Sequence, residues 1–142
     1  MGWWGHDVLG GDEPLDDLYD YEQKLGVDEL YSPSRWDDAK RQSVRDAINA
    51  DQDGYLKLAS SENEVMMQVG AVVLMCAGAE MTDAFRKAAI KAGEEDLWAK
   101  EDDEERVRKM EEFVDTVKEY DGTPVKYTTE GLMSKFAKAG LI

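Results

Sequence analysis

Histidine, cysteine and proline are scarce in this chain, at one, one and three among 142 residues. A lone cysteine, Cys76, excludes an internal disulfide framework, so nothing asks for an oxidising compartment. With His6 as the sole histidine, any Ser/His or Cys/His pair must use it, and one His with one Cys cannot build a zinc site. Long apolar runs are also missing. Residues 65–79 come nearest, are interrupted by Gln68, and are too short to span a bilayer. No basic stretch leads into an apolar one at the start, so no secretory signal is expected, and a cytoplasmic location follows. Walker and dinucleotide motifs, internal repeats and low-complexity linkers are not found.

Positive charge is the last thing in short supply. Seventeen basic residues face 32 acidic ones, giving a net charge of −15 and an isoelectric point near 4.4. Such a field repels nucleic acid and anionic membrane, so no direct nucleic-acid or membrane binding is expected. It attracts a basic protein surface, or a protein whose groove normally holds DNA or RNA. The same charge also serves plain solubility.

What is present is helical periodicity, with almost no β signal. The expected fold is all-α, a single compact domain of about six helices around a central buried helix near residues 62–77. Asp12, Glu13 and Pro14 start a first helix whose face carries Leu15, Leu18, Tyr19, Glu22 and Leu25, with Gly26 as its stop. A second helix is expected from a cap at Ser32 or Ser34 to about Asn49, presenting Trp36, Val44, Ala47 and Ile48. The stretch 49–59 reads as a loop punctuated by Asp53-Gly54. Ser61 with Glu64 has capping-box spacing before a helix that is apolar on all sides and ends at Gly78. Thr82 caps a shorter helix closed by Gly93, and a charged but periodic helix carries Val107, Met110, Phe113 or Val114, and Val117 towards Tyr120. After a turn at Asp121-Gly122, residues 123–128 read as extended and 128–142 as a last amphipathic helix.

Two constellations invite a chemical reading. Aligned on Gly54, the loop places Asn49, Asp51 and Asp53 at the first, third and fifth positions of an EF-hand. The bidentate glutamate needed at its twelfth position is Ser60, so the alternative is an Asp-Gly turn between helices. Glu101, Asp102, Asp103, Glu104 and Glu105 form an unbroken acidic run. Such a run can mimic nucleic-acid phosphates for a DNA-binding groove, or form a solvated face paired locally with Arg106, Arg108 and Lys109. Cys76 sits in the most apolar helix, where burial makes a thiol inert.

The opening residues hold two tryptophans among glycines. Gly2 and Gly5 allow close backbone approach, so residues 1–11 read as an irregular arm with Trp4 anchored in the core and Trp3 partly exposed. The alternative makes both an exposed hot spot for a partner. Met1-Gly2-x-Trp4-Gly5, then Leu9, then Asp12-x-x-Leu15-Asp16, resembles the start of the small proteins grouped as domain-of-unknown-function family 4259. Gly11 and Pro14 depart from the family's usual Asn and small residue, which alters the loop before the first helix. The resemblance implies a bacterial or phage protein inside the cell, with no catalytic residues to carry over.

The resulting expectation is a non-enzymatic acidic protein that binds a partner with a basic surface and needs no cofactor. An inhibitor or immunity-type role fits. Trp3, Trp4 and residues 101–105 are the expected interface; the alternative is a calcium-binding module through Asn49, Asp51 and Asp53.

Overall fold

The computed structural model describes residues 12–30, 36–96, 104–125, 127–128 and 131–132. Within them the chain forms α1 (Asp12–Leu25), α2 (Asp38–Ala50), α3 (Gln52–Ala59), α4 (Glu64–Ala77), α5 (Asp83–Glu94) and α6 (Glu104–Glu119). Two short strands follow, β1 (Tyr127–Thr128) and β2 (Gly131–Leu132), paired antiparallel. The architecture is all-helical around α4, as the periodicity implies.

Helix α4 is the axis of the molecule. Every residue from Val65 to Ala77 is buried, Gln68 included. Helices α1, α2, α3 and α5 pack against it, and α6 packs on α5. A helix apolar on all sides cannot face water, so it recruits amphipathic neighbours to cover it. Its capping group is Asn63, whose side chain accepts the Met66 N–H, and not the expected Ser61. At the other end Gly78 adopts φ 74°, a left-handed stop that only glycine takes without strain.

Three tyrosines fasten the bundle to α4 and its C-terminal end. The Tyr21 hydroxyl (α1) donates to the Met66 carbonyl at 2.6 Å, and that of Tyr55 (α3) to the Gly70 carbonyl at 2.7 Å. Tyr120, after α6, donates to the Ala79 carbonyl at 2.6 Å. Tyr21 and Tyr55 lie 5.3 Å apart, and Phe85 of α5 stacks on Tyr55 at 5.7 Å. Tyr21 therefore does what the sequence assigned to Tyr19, which is 60% exposed.

Burial raises all three phenol pKa values, helped at Tyr21 by Asp17, Asp20 and Glu62. A phenol held above its unfolded value near 10 contributes fully below that pH and loses the contribution as pH rises. Stability should hold up to about pH 9 and then fall. Phenolate absorbance from these three should grow together with loss of helical circular dichroism. Ionisation of Tyr21, Tyr55 and Tyr120 with the helices intact would contradict the packing.

Several expected boundaries move. Helix α2 is capped by Asp37, which accepts the Lys40 N–H at 2.7 Å, in place of Ser32 or Ser34. Trp36, Val44 and Ile48 are buried as expected. Residues 52–59, read as a loop, are helix α3: Asp51 is its N-cap and accepts the Gly54 N–H at 3.0 Å, while Tyr55 and Ala59 enter the core. Gly93 does not stop α5, which runs to Glu94 with Gly93 buried in its last turn. Gly131 and Leu132 lie in β2 where helix was expected; residues 133–142 are outside the described set, as is the arm 1–11.

Candidate partner-binding groove

Helix α6 is a charged sequence with one apolar stripe. Met110, Phe113, Val114 and Val117 recur at three-to-four spacing and are buried towards α5. The two helices approach closely because Gly93 has no side chain. A Cβ there would meet Val114 Cγ2 at 2.6 Å and Phe113 Cδ2 at 2.9 Å.

The register of α6 is fixed by a buried polar network. Arg106 is fully buried and Asp96 is 2% exposed. The guanidinium donates through Nε to Asp96 Oδ1 at 3.1 Å and through Nη2 to Asp96 Oδ2 at 2.7 Å. Nη2 also reaches Gln68 Oε1 at 3.0 Å, and Gln68 Nε2 donates to Asp96 Oδ2 at 2.9 Å and to the Ala92 carbonyl at 3.1 Å. One arginine thereby ties α6 to α4 and to the end of α5. The sequence expectation placed Arg106 in a surface ion pair; it turns inward instead.

Beside this clamp, along the α5–α6 seam, lies a groove of about 420 Å³. Val107, Met110 and Val114 supply its apolar floor, with Gly93 at one side. Glu94, from the end of α5, and Glu111 and Asp115 of α6 stand at its rim, with Lys118 at the far end. Among the described residues no cation pairs with Glu94, Glu111 or Asp115. The neighbouring face of α6 is different. Arg108 binds Glu105 and lies 4.0 Å from Glu112, and Lys109 lies 3.9 Å from Glu112. The Glu105 carboxylate in turn raises the Arg108 pKa.

Of the acidic run singled out in the sequence, Glu104 is exposed at the start of α6 and Glu105 is neutralised locally. Trp3, Trp4, Glu101, Asp102 and Asp103 lie outside the described residues. The uncompensated acids, Glu111 and Asp115, sit two turns further along α6. Their position was legible, because they flank the Val107, Met110 and Val114 stripe. Glu94 was not, since only the packing of α5 on α6 brings it to the rim.

The calcium alternative loses its loop. Asn49 Oδ1 accepts from the Glu80 N–H at 2.9 Å and from Gln52 at 3.1 Å, so it clips α2 to the segment after α4. Asp51 caps α3 and pairs with Lys24 at 2.7 Å. That hydrogen bond, with the one from Gly54, lowers its pKa. Asp53 belongs to the first turn of α3. In this structure the three groups serve as a clip, a cap and part of a helical turn.

Carboxylates do converge elsewhere: oxygens of Asp17, Asp20 and Glu62 lie within 4.8 Å of one another. Cys76 is buried and desolvation pushes its thiol pKa up to about 12, which removes it as a nucleophile at neutral pH. Among the described residues no helix is long and apolar enough to cross a membrane. Compared with known proteins, the chain matches no family model, no curated protein and no solved structure.

Proposed function

We propose that the protein works, without catalysing a reaction, by binding another protein through the α5–α6 groove, and that the segment it takes is basic and amphipathic. One observation carries this reading: an apolar floor of Val107, Met110 and Val114 lies beneath three carboxylates that no described cation neutralises. An apolar side chain of the partner fills the floor, and lysines or arginines on either side meet Glu94, Glu111 and Asp115. The net charge of −15 extends the same preference to long range, speeding encounter with basic surfaces and rejecting acidic ones. An inhibitor or immunity-type factor acting on a basic, nucleic-acid-binding protein is the role this chemistry suits. The bacterial or phage origin and cytoplasmic setting rest on the resemblance of the first sixteen or so residues.

Isothermal titration with a lysine-flanked, leucine-centred helical peptide tests the reading. The affinity should fall as salt is raised, because the rim charges are exposed and screened. Glu111→Lys with Asp115→Lys should weaken binding by about tenfold or more, equivalent to about 1.4 kcal/mol. Lys118→Glu should strengthen it. Affinity indifferent to these reversals would overturn the reading.

A further inference from the structure

A second cavity, of about 460 Å³, opens on the other side of α5 from the α5–α6 groove. Ala59 at the end of α3, Met67 of α4, and Ala88 and Ala92 of α5 form its apolar floor. Ala88, Ala92 and Glu95 recur at three-to-four spacing and share one face of α5, whereas Gly93 and Glu94 face the first groove. Three of the four floor residues are alanines, so the space stays open to a side chain from outside. The rim is again acidic. Glu62, Glu64 and Glu95 stand there with Lys91, the one cation lining the cavity among the described residues. Within that set none of the three glutamates is in an ion pair. Glu62 carries the same charge on towards α1, where its carboxylate lies within 4.8 Å of those of Asp17 and Asp20.

The strip between the two openings is the C-terminal turn of α5, and its charge has the wrong sign for the end of a helix. Unsatisfied carbonyls give a helix C-terminus partial negative charge, which basic side chains ordinarily offset. Here the last residue is Glu94 and the C-cap is Glu95, both exposed, while Lys91 lies a turn earlier. Two carboxylates and the helix end repel one another there until a cation arrives.

We propose that the partner of the α5–α6 groove also docks in this second cavity and crosses the C-terminal turn of α5, so that the surface recognises two apolar anchors with lysine or arginine between them. The crossing is about the 10–12 Å thickness of one helix. A partner helix covers it with anchors about seven residues apart, which lie about 10.5 Å from each other on one face. Its intervening cations meet Glu94, Glu95 and the end of α5. The inference rests on the proposed binding function of the groove and defines the partner further, as a basic helix held at two points.

Isothermal titration of the full chain compares the leucine-centred peptide with a helical peptide of the same length and charge that carries two leucines at this spacing and lysines between them. The two-leucine peptide should bind about tenfold more tightly or better, because the second contact is intramolecular once the first is made. Ala88→Leu, which fills the second cavity without altering charge, should return the ratio of the two affinities to about one. Circular dichroism confirms that its helices persist; should it unfold, Glu62→Gln with Glu64→Gln should lower the same ratio. Glu94→Gln with Glu95→Gln adds a readout that a loss of acidity alone does not explain. Its urea midpoint should rise, because the repulsion at the helix end is relieved, while its affinity for the two-leucine peptide should fall about tenfold.

Equal affinity for the two peptides would overturn the inference and leave the groove reading standing. A ratio indifferent to Ala88→Leu, or a urea midpoint that falls in the Glu94 and Glu95 variant, would also overturn it. If neither peptide binds, the groove reading fails and this inference fails with it.

Discussion

Replacing Arg106 with methionine is expected to destabilise the protein by about 3–5 kcal/mol, the range for removing one partner of a buried ion pair. A domain of ordinary stability has only about 5–15 kcal/mol in total. The cost does not measure the strength of the pair. Asp96 is 2% exposed, and without the guanidinium its carboxylate keeps the bond from Gln68 Nε2 but loses the charge that offsets its burial. Arg106→Lys should be nearly as harmful, because a single ammonium cannot reproduce the fork that engages Asp96 Oδ1, Asp96 Oδ2 and Gln68 Oε1 together. Replacing all three polar residues at once, Gln68→Leu, Asp96→Leu and Arg106→Met, should return most of the loss or exceed it, since well-packed apolar groups avoid desolvation altogether. Urea midpoints followed by circular dichroism rank the variants. An unchanged midpoint for Arg106→Met would show that the network does not hold α6.

The second large effect concerns Gly70. In an exposed helix, glycine to alanine stabilises by about 1 kcal/mol. Here the sign should reverse, with a loss of about 1–3 kcal/mol, because a Cβ at this position has no room. It would lie 2.3 Å from the Tyr21 hydroxyl oxygen and 2.9 Å from its Cζ. The phenol cannot simply retreat. Its hydroxyl is bonded to Met66, one turn earlier on α4, and its ring packs on Tyr55, whose own hydroxyl is bonded to the Gly70 carbonyl. The glycine opens the helix surface so that two tyrosines from different helices can reach backbone oxygens of a third. In a Tyr21→Phe background the closest clash is gone, so Gly70→Ala should cost less there than in the wild type. A double-mutant cycle reads the difference. Equal cost in both backgrounds would mean that the two residues are not coupled.

The centre of this fold was legible because it is written in composition. An apolar run with no polar face has to be enclosed, and α4 is; Gly78 and Thr82 mark its exit and the next entry as their chemistry requires. Helix α3 was missed for a physical reason. Asp followed by Gly favours both a turn and the first turn of a helix, and Asp51 serves as an N-cap. What decides between them is the burial of Tyr55 and Ala59 against α4, a tertiary effect. The shifted caps at Asp37 and Asn63 have a similar origin, since several cap-forming residues lie in succession and packing selects one. Arg106 was the hardest to foresee. Arg106, Arg108 and Lys109 are near neighbours of one charged helix, yet one is enclosed and the others stay at the surface. Periodicity places Arg106 one turn before Met110, on the buried stripe, which was the available sign.

The Asp96–Arg106 clamp also bears on how this architecture can vary. Groups at the end of α5, inside α4 and in the first turn of α6 set the direction of α6 between them. For a connection whose two ends are already held, each doubling in length costs only about 0.6 kcal/mol. Added residues, or even new chain ends, are tolerable there in a way that one extra methyl group at Gly70 is not. Intolerance of added volume and freedom to change length thus belong to two separate clusters on α4, the first around Gly70 with Tyr21 and Tyr55 and the second around Gln68 with Asp96 and Arg106.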